Sequence, residues 1–237
     1  MAEITVHVSW TTVADFGDRF GGLVENLPGD ERERAERFRV EGARRRFVLA
    51  RTLLRSELSQ RVGGAPDALV FGVGPHGKPH LVTPALDSPP CFNLSHSGDL
   101  VVVAIAAVEV GADVECLRPV AGAEKLARRF FSSEECRAIT ALSGAVRDRA
   151  FLRIWTQKEA YLKATGLGVG MRLREVEAEP DAEAPPRLHT IGGDGEEAAR
   201  WSLHEVEIPG AVCTVASLGS VSGVEVVRRT PADFDRR

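Results

Sequence analysis

The sequence predicts an α+β fold, and three observations carry that expectation. Residues 1–8 (Met-Ala-Glu-Ile-Thr-Val-His-Val) alternate like a strand with one buried face. Residues 30–62 place Phe38, Phe47, Leu49, Leu53, Leu54 and Leu58 at helical spacing. Residues 101–105 are a β-branched apolar run of the kind strands favour. The order strand, helices, strands then occurs twice along the 237 residues, without any repeat by sequence identity.

Taken in order, the first strand is followed by the helical pattern of 30–62, interrupted near Gly42. Short strands are expected around 69–73, 81–82 and 91–94. Residues 101–105 and 110–115 read as the two strands of a hairpin, although the connection 106–109 lacks a strong turn signal. Residues 123–131 read as a helix, and Ser132-Ser133 offers a cap to the next, which starts from Glu134. A longer helix over 147–164 is ended by Gly166 and Gly168. Strands near 188–191, 201–207 and 212–217 close the fold, with a loop at 179–186 and a turn at 192–197. The charged tail beyond Val227 is expected to be mobile.

Composition excludes several classes. A 43% hydrophobic content with mixed charges describes a soluble globule long enough to bury a good core. The net charge of −4 argues against a general nucleic-acid binder. No apolar run approaches the ~20 residues of a membrane span, and the start lacks the pattern of a signal peptide, so a cytoplasmic protein is expected. Cys91, Cys116, Cys136 and Cys213 show no Cys-x-x-Cys spacing and read as reduced thiols. Arginines crowd residues 32–55 with glutamates interleaved. Part of that stretch is a solvated ion-paired face, and its positive excess suits phosphates or an acidic partner surface.

The candidate site begins with Glu159, which falls on the same helix side as Phe151, Trp155 and Leu162. A carboxylate leaning into an apolar stripe must be paired, protonated or metal-bound. Pairing with Lys163, one turn on, is the plain solution. Asp113 and Glu115 alternate onto one face of their strand, where two close negative charges call for a cation or for solvent. Mg²⁺ or Mn²⁺ suits an all-oxygen set that leaves room for water and phosphate. Asn93-Leu94-Ser95-His96-Ser97-Gly98 gathers small donors and an imidazole, which fits an anion or simply a polar loop. Only four lysines stand against twenty-six arginines, and Lys78, Lys158 and Lys163 all lie in or beside these elements.

The ordered series Gly77-Lys78-Pro79, Phe92-Asn93-Leu94-Ser95-His96-Ser97, Gly111-Ala112-Asp113-Val114-Glu115 and Trp155-x-x-Lys158-Glu159-Ala160-x-x-Lys163 resembles the 4′-phosphopantetheinyl transferases. It resembles the larger, monomeric, Sfp-like class, typified by the enzyme that activates surfactin synthetase. The resemblance implies a pseudo-dimer of two similar α+β halves, here 1–109 and 110–222 with a charged tail 223–237, and an active site in the cleft between them. It implies that Asp113, Glu115 and Glu159 hold Mg²⁺ (or Mn²⁺) against the pyrophosphate of coenzyme A, and that Lys163 contacts the phosphates. Ser95 and His96 match the phosphate-binding pair, Lys78 and Pro79 the segment flanking the adenine, and Lys158 stands with the coenzyme A ligands. Arg34 and Arg46 fall nearest the 3′-phosphate contacts. Two positions depart from the pattern: Ala112 replaces a β-branched residue, and Glu31 occupies a customarily basic position.

The implied reaction moves phosphopantetheine from coenzyme A to a serine of an apo acyl- or peptidyl-carrier protein, with release of 3′,5′-ADP. Fatty-acid, polyketide, nonribosomal-peptide and siderophore systems all present such carriers. The reaction needs alignment and charge stabilisation more than a nucleophile of its own, with Glu159 the candidate base and Lys163 at the leaving phosphate. Three other readings stand beside it: an acyl-coenzyme A transferase with Gly72-Val73-Gly74 as phosphate loop, which leaves the three acidic residues unexplained, a metal-dependent hydrolase using the same carboxylates, and a non-catalytic carrier-protein-binding module.

Overall fold

The computed structural model describes residues 4–167 and 173–235. The elements are β1 (Thr5–Thr12), α1 (Phe20–Glu25), α2 (Gly29–Glu36), α3 (Glu41–Val62), β2 (Val70–Val73), β3 (Pro79–Thr83), β4 (Cys91–Ser97), β5 (Leu100–Ala106) and β6 (Val110–Cys116). Then follow α4 (Ala123–Phe130), α5 (Ser133–Thr140), α6 (Gly144–Thr165), β7 (Val176–Ala178), β8 (Leu188–Ile191), α7 (Gly195–Ala199), β9 (Trp201–Glu205), β10 (Ala211–Leu218) and β11 (Gly223–Arg228). A four-stranded sheet runs β11-β1-β5-β4 and a three-stranded sheet β6-β10-β9; β2-β3 and β7-β8 are separate ribbons.

Strand alternation explains the layering. On β5, Val101, Val103 and Ile105 join a core with Leu49, Leu53 and Leu54 of α3. Its other residues, Val102 and Ala104 among them, meet Ala112, Val114, Cys213 and Val215 of the second sheet. On β10, Val212 and Ala216 turn the opposite way, onto the core formed with α6. Two sheets therefore face each other, each backed by its own helices. The chain is α+β, two halves pressed sheet to sheet.

This arrangement corrects the expected hairpin. The runs 101–105 and 110–115 lie in different sheets: residues 107–109 carry the chain across, and β6 pairs with β10, Asp113 opposite Thr214. The hairpin is β4–β5, closed between Ser97 and Leu100 by Gly98 and Asp99, with Gly98 at φ +54°. Gly98 is thus a turn glycine. The break in the Arg-rich helical stretch lies at 37–40, ahead of Gly42, which sits in the first turn of α3. The tail is also not free: β11 runs parallel to β1, Phe234 packs on Phe16, and Arg229 donates to the buried Glu57 at 2.6 Å. Of the two glycines expected to end the long helix, Gly166 does so in the left-handed conformation, and Gly168 lies outside the described residues.

Candidate active site

Helix α6 lies directly on β6, and Gly111 permits that approach. A Cβ at this position would collide with the carbonyl of Ala160 and the amide of Ala164. The close packing brings Glu159, 3% exposed, toward Asp113, 5% exposed. Lys163 Nζ does not turn back to Glu159; it donates to Asp113 Oδ1 at 2.5 Å and to Ser95 Oγ at 2.9 Å. Asp113 Oδ2 and Glu159 Oε1 are left buried without a hydrogen-bond partner among the described residues. Neither plain reading of the carboxylates survives, because β6 is no solvated edge and Lys163 serves Asp113.

Electrostatics follow from this crowding. Burial pushes the Glu159 carboxyl up to about 7, and the negative charges of Asp113 and then Glu115 add to the rise against the pull of Lys163. Burial also raises Asp113, with Lys163 and Ser95 opposing. A buried acidic pair with orphaned oxygens is short of positive charge. Among the described residues no three acidic, histidine or cysteine side chains form a closed metal cage. The donor chemistry nonetheless fits a hard cation, which prefers carboxylate oxygens and completes its shell with water and substrate phosphate.

β4 supplies the other wall of the site. Asn93, Ser95 and Ser97 alternate onto the face that meets β6 and accept from the amides of Ala112, Val114 and Cys116 at 3.0, 3.2 and 3.1 Å. Ser95 also donates to Asp113 Oδ1 at 3.1 Å, and Ser97 to Glu115 Oε2 at 2.9 Å. Asn93 and Ser97 were expected only as members of the donor-rich stretch 93–98, without roles of their own. Their signal was present as the period-two pattern Asn-x-Ser-x-Ser on a strand.

The basic residues divide into two groups. Arg34, Arg46 and His96 line one cleft of about 410 Å³ together with Pro79 and Asn93. Neither arginine makes an ion pair among the described residues, so both remain available to an anion; Arg34 lies over the Phe47 ring. Burial lowers the His96 pKa, and the Arg46 charge lowers it further. Glu31, the departure noted above, is buried and binds Arg55 through both oxygens, with Arg51 donating to it at 2.6 Å. It ties α2 to α3 and takes those two arginines out of the free set.

Two lysines expected among the coenzyme A contacts are engaged by the protein itself. Lys78 points inward, donating to Glu109 Oε2 at 2.5 Å, Val110 O at 3.2 Å and Ala164 O at 2.6 Å, which fastens the end of α6 to the start of β6. Lys158 is fully buried and donates to Glu135 at 2.6 Å and Leu173 O at 3.0 Å. Successive helical residues point about 100° apart, so a helix that aims Glu159 at β6 must aim Lys158 elsewhere.

Comparison with known proteins now bears on this geometry. Residues 10–108 match the family model described as "4'-phosphopantetheinyl transferase, N-terminal", and residues 109–216 match the 4'-phosphopantetheinyl transferase superfamily. The 4'-phosphopantetheinyl transferase HetI of Nostoc sp. is 38% identical over 195 residues, covering 82% of this chain and 78% of that one. A 4'-phosphopantetheinyl transferase of Bacillus subtilis is 31% identical over 185 residues, covering 73% and 80%. A solved holo-(acyl-carrier-protein) synthase from Bacillus anthracis, 24% identical, aligns over 48% of this chain and 97% of its own at a TM-score of 0.39, too weak a likeness to carry weight. With the two family models side by side along the chain and relatives this similar, the chain belongs to the 4′-phosphopantetheinyl transferase superfamily and is an Sfp-like transferase enzyme.

Proposed function

We propose that the cleft between β4, β6 and α6 takes coenzyme A and passes its phosphopantetheine to a serine hydroxyl of an apo acyl- or peptidyl-carrier protein. The observation that carries the assignment of roles is the buried carboxylate set Asp113–Glu159 with two unpartnered oxygens, beside Lys163 and an arginine-lined cleft. Arg34, Arg46 and His96 face the 3′-phosphate, with Pro79 beside the adenine. Asp113, Glu115 and Glu159 would hold Mg²⁺. When bound, that ion offsets charge on the pyrophosphate oxygens and aligns them.

The carrier serine attacks the phosphorus that bears the pantetheine, and the phosphoanhydride bond to 3′,5′-ADP breaks. Glu159, whose buried Oε1 no other group among the described residues holds, takes the hydroxyl proton. Two of the three Lys163 donors go to Asp113 and Ser95; the third is left for charge developing on the departing phosphate. Ser95 and Lys78 act from behind, on Asp113 and on the α6–β6 junction.

Both walls of the site come from one chain, so a monomer suffices. Four free cysteines suit a reducing cytoplasm, and no helix among the described residues is long and apolar enough to cross a membrane. The test is incubation with apo acyl- and peptidyl-carrier proteins, coenzyme A and Mg²⁺, with an EDTA control, and mass spectrometry of the carriers. A gain of one phosphopantetheine group that EDTA abolishes is expected. A gain insensitive to EDTA would refute the metal assignment, and no gain on any carrier would refute the transfer.

A further inference from the structure

β6 is the outer strand of its sheet, so the amides on its outer side have no strand to pair with. β4 is likewise the outer strand of the other sheet. The two edges are not joined backbone to backbone. Side chains at every second position of β4 reach across and serve every second amide of β6.

The two serines in this ladder repeat one unit. Each accepts from the amide of residue n+1 on β6 and donates its single hydroxyl proton to the carboxylate of residue n. Ser95 serves Val114 N–H and Asp113; Ser97 serves Cys116 N–H and Glu115. Because the amide fixes the acceptor side of the hydroxyl, the proton has one direction left, toward the carboxylate. The serine then holds one carboxylate oxygen and leaves the other free of it. Asp113 Oδ2 is the orphaned atom in the first unit. In the second, the hydrogen bonds among the described residues fall on Glu115 Oε2 alone, from Ser97 and from Arg118 at 3.2 Å.

We propose that Ser97 is a positioning residue that orients the Glu115 carboxylate toward the cation site, as Ser95 does for Asp113. The proposal rests on the reading of Asp113, Glu115 and Glu159 as cation ligands and extends it to a residue that touches neither cation nor substrate. It also assigns the ladder a purpose beyond cohesion. The half bearing β4 sets the carboxylates borne by the other half, so the site is complete only when the halves are in register. A slip of two residues would leave Glu115 facing Ser95 and Asp113 facing Asn93.

The experiment measures Mn²⁺ binding by electron paramagnetic resonance in the presence of coenzyme A, beside thermal melts, for wild type, Ser97→Ala and Ser97→Thr. Loss of a group that orients a ligand typically weakens metal binding by about tenfold or more, and that is the expected result for Ser97→Ala. Ser97→Thr keeps the hydroxyl and is expected to recover most of the affinity. Unchanged Mn²⁺ affinity in Ser97→Ala, with or without a lowered melting temperature, overturns the proposal alone and leaves the ladder merely structural. A wild type that binds no Mn²⁺ overturns the proposal together with the reading beneath it.

Discussion

Glu159→Gln should make the ligand-free protein more stable while destroying its activity. Glu159 is buried with one oxygen unpartnered, and its pKa stands at about 7 against the usual 4.5. A carboxyl whose folded pKa exceeds its unfolded one is favourable when protonated. That contribution is complete below pH 4.5 and is lost as pH rises through 7. Raising the pKa from 4.5 to about 7, at about 1.4 kcal/mol per pH unit, amounts to about 3 kcal/mol of destabilisation at pH 8. Glutamine keeps the shape without the charge and relieves Asp113 of a neighbouring anion. The variant should therefore melt roughly 6–12 °C higher at pH 8 in EDTA, given the usual shift for a chain of this size. The gain should shrink as pH is lowered toward 5. Transfer should fall by at least about 10²-fold with loss of the base. A variant less stable than wild type at pH 8, or a gain that stays flat from pH 5 to 8, would refute the reasoning.

Three further outcomes are expected. Lys158→Met leaves Glu135 buried without its cation and should cost about 3–5 kcal/mol in denaturant unfolding. Adding Glu135→Gln should recover most of that loss, with the KM for coenzyme A unchanged in the folded protein. Arg34→Ala and Arg46→Ala should each raise the KM for coenzyme A about tenfold, through loss of a charge-assisted hydrogen bond, and leave the KM for 3′-dephospho-coenzyme A unaltered. Arg229→Ala removes one of two cations on buried Glu57 and should cost about 2 kcal/mol at pH 7. Hydrogen bonds from Arg229 and Arg61 hold the Glu57 carboxyl low against the effect of burial. The stability they supply is present above pH 4.5 and is lost as pH falls through the lowered folded pKa, so urea titrations at pH 7 and 4 would show the difference shrink.

The parts of the molecule that local chemistry dictates were legible in the sequence. The Ser132 cap with Glu135, the long helix bearing Glu159 and the alternation that puts Asp113 and Glu115 on one face all depend on residues a few positions apart. What escaped was decided at long range. Val101 to Ile105 and Val110 to Glu115 look like neighbours, yet β1 and β10 claim them for separate sheets. Lys158 has the composition of a phosphate ligand, but helix phase turns it toward Glu135. Gly98-Asp99 ahead of the apolar run 100–105 was a turn signal in plain view, masked by the polar residues before it, which suited an anion site or a polar loop equally well. Glu31 looked like a missing phosphate contact. It is the anchor that holds α2, and with it Arg34, against α3.

The pairing of β1 with β11 joins the two ends of the chain, Val6 lying opposite Val224. Contacts of such sequence separation form slowly, because a long loop must close before they gain anything. During synthesis, a nascent chain that has completed everything through β10 still lacks the strand that covers β1 and the arginine that answers Glu57. Its first sheet has an open edge, and a buried carboxylate waits for its second cation. The half that carries β1 is thus translated before the other and sealed after it. Until residues 223–229 arrive, that half is the stretch on which a chaperone would be needed.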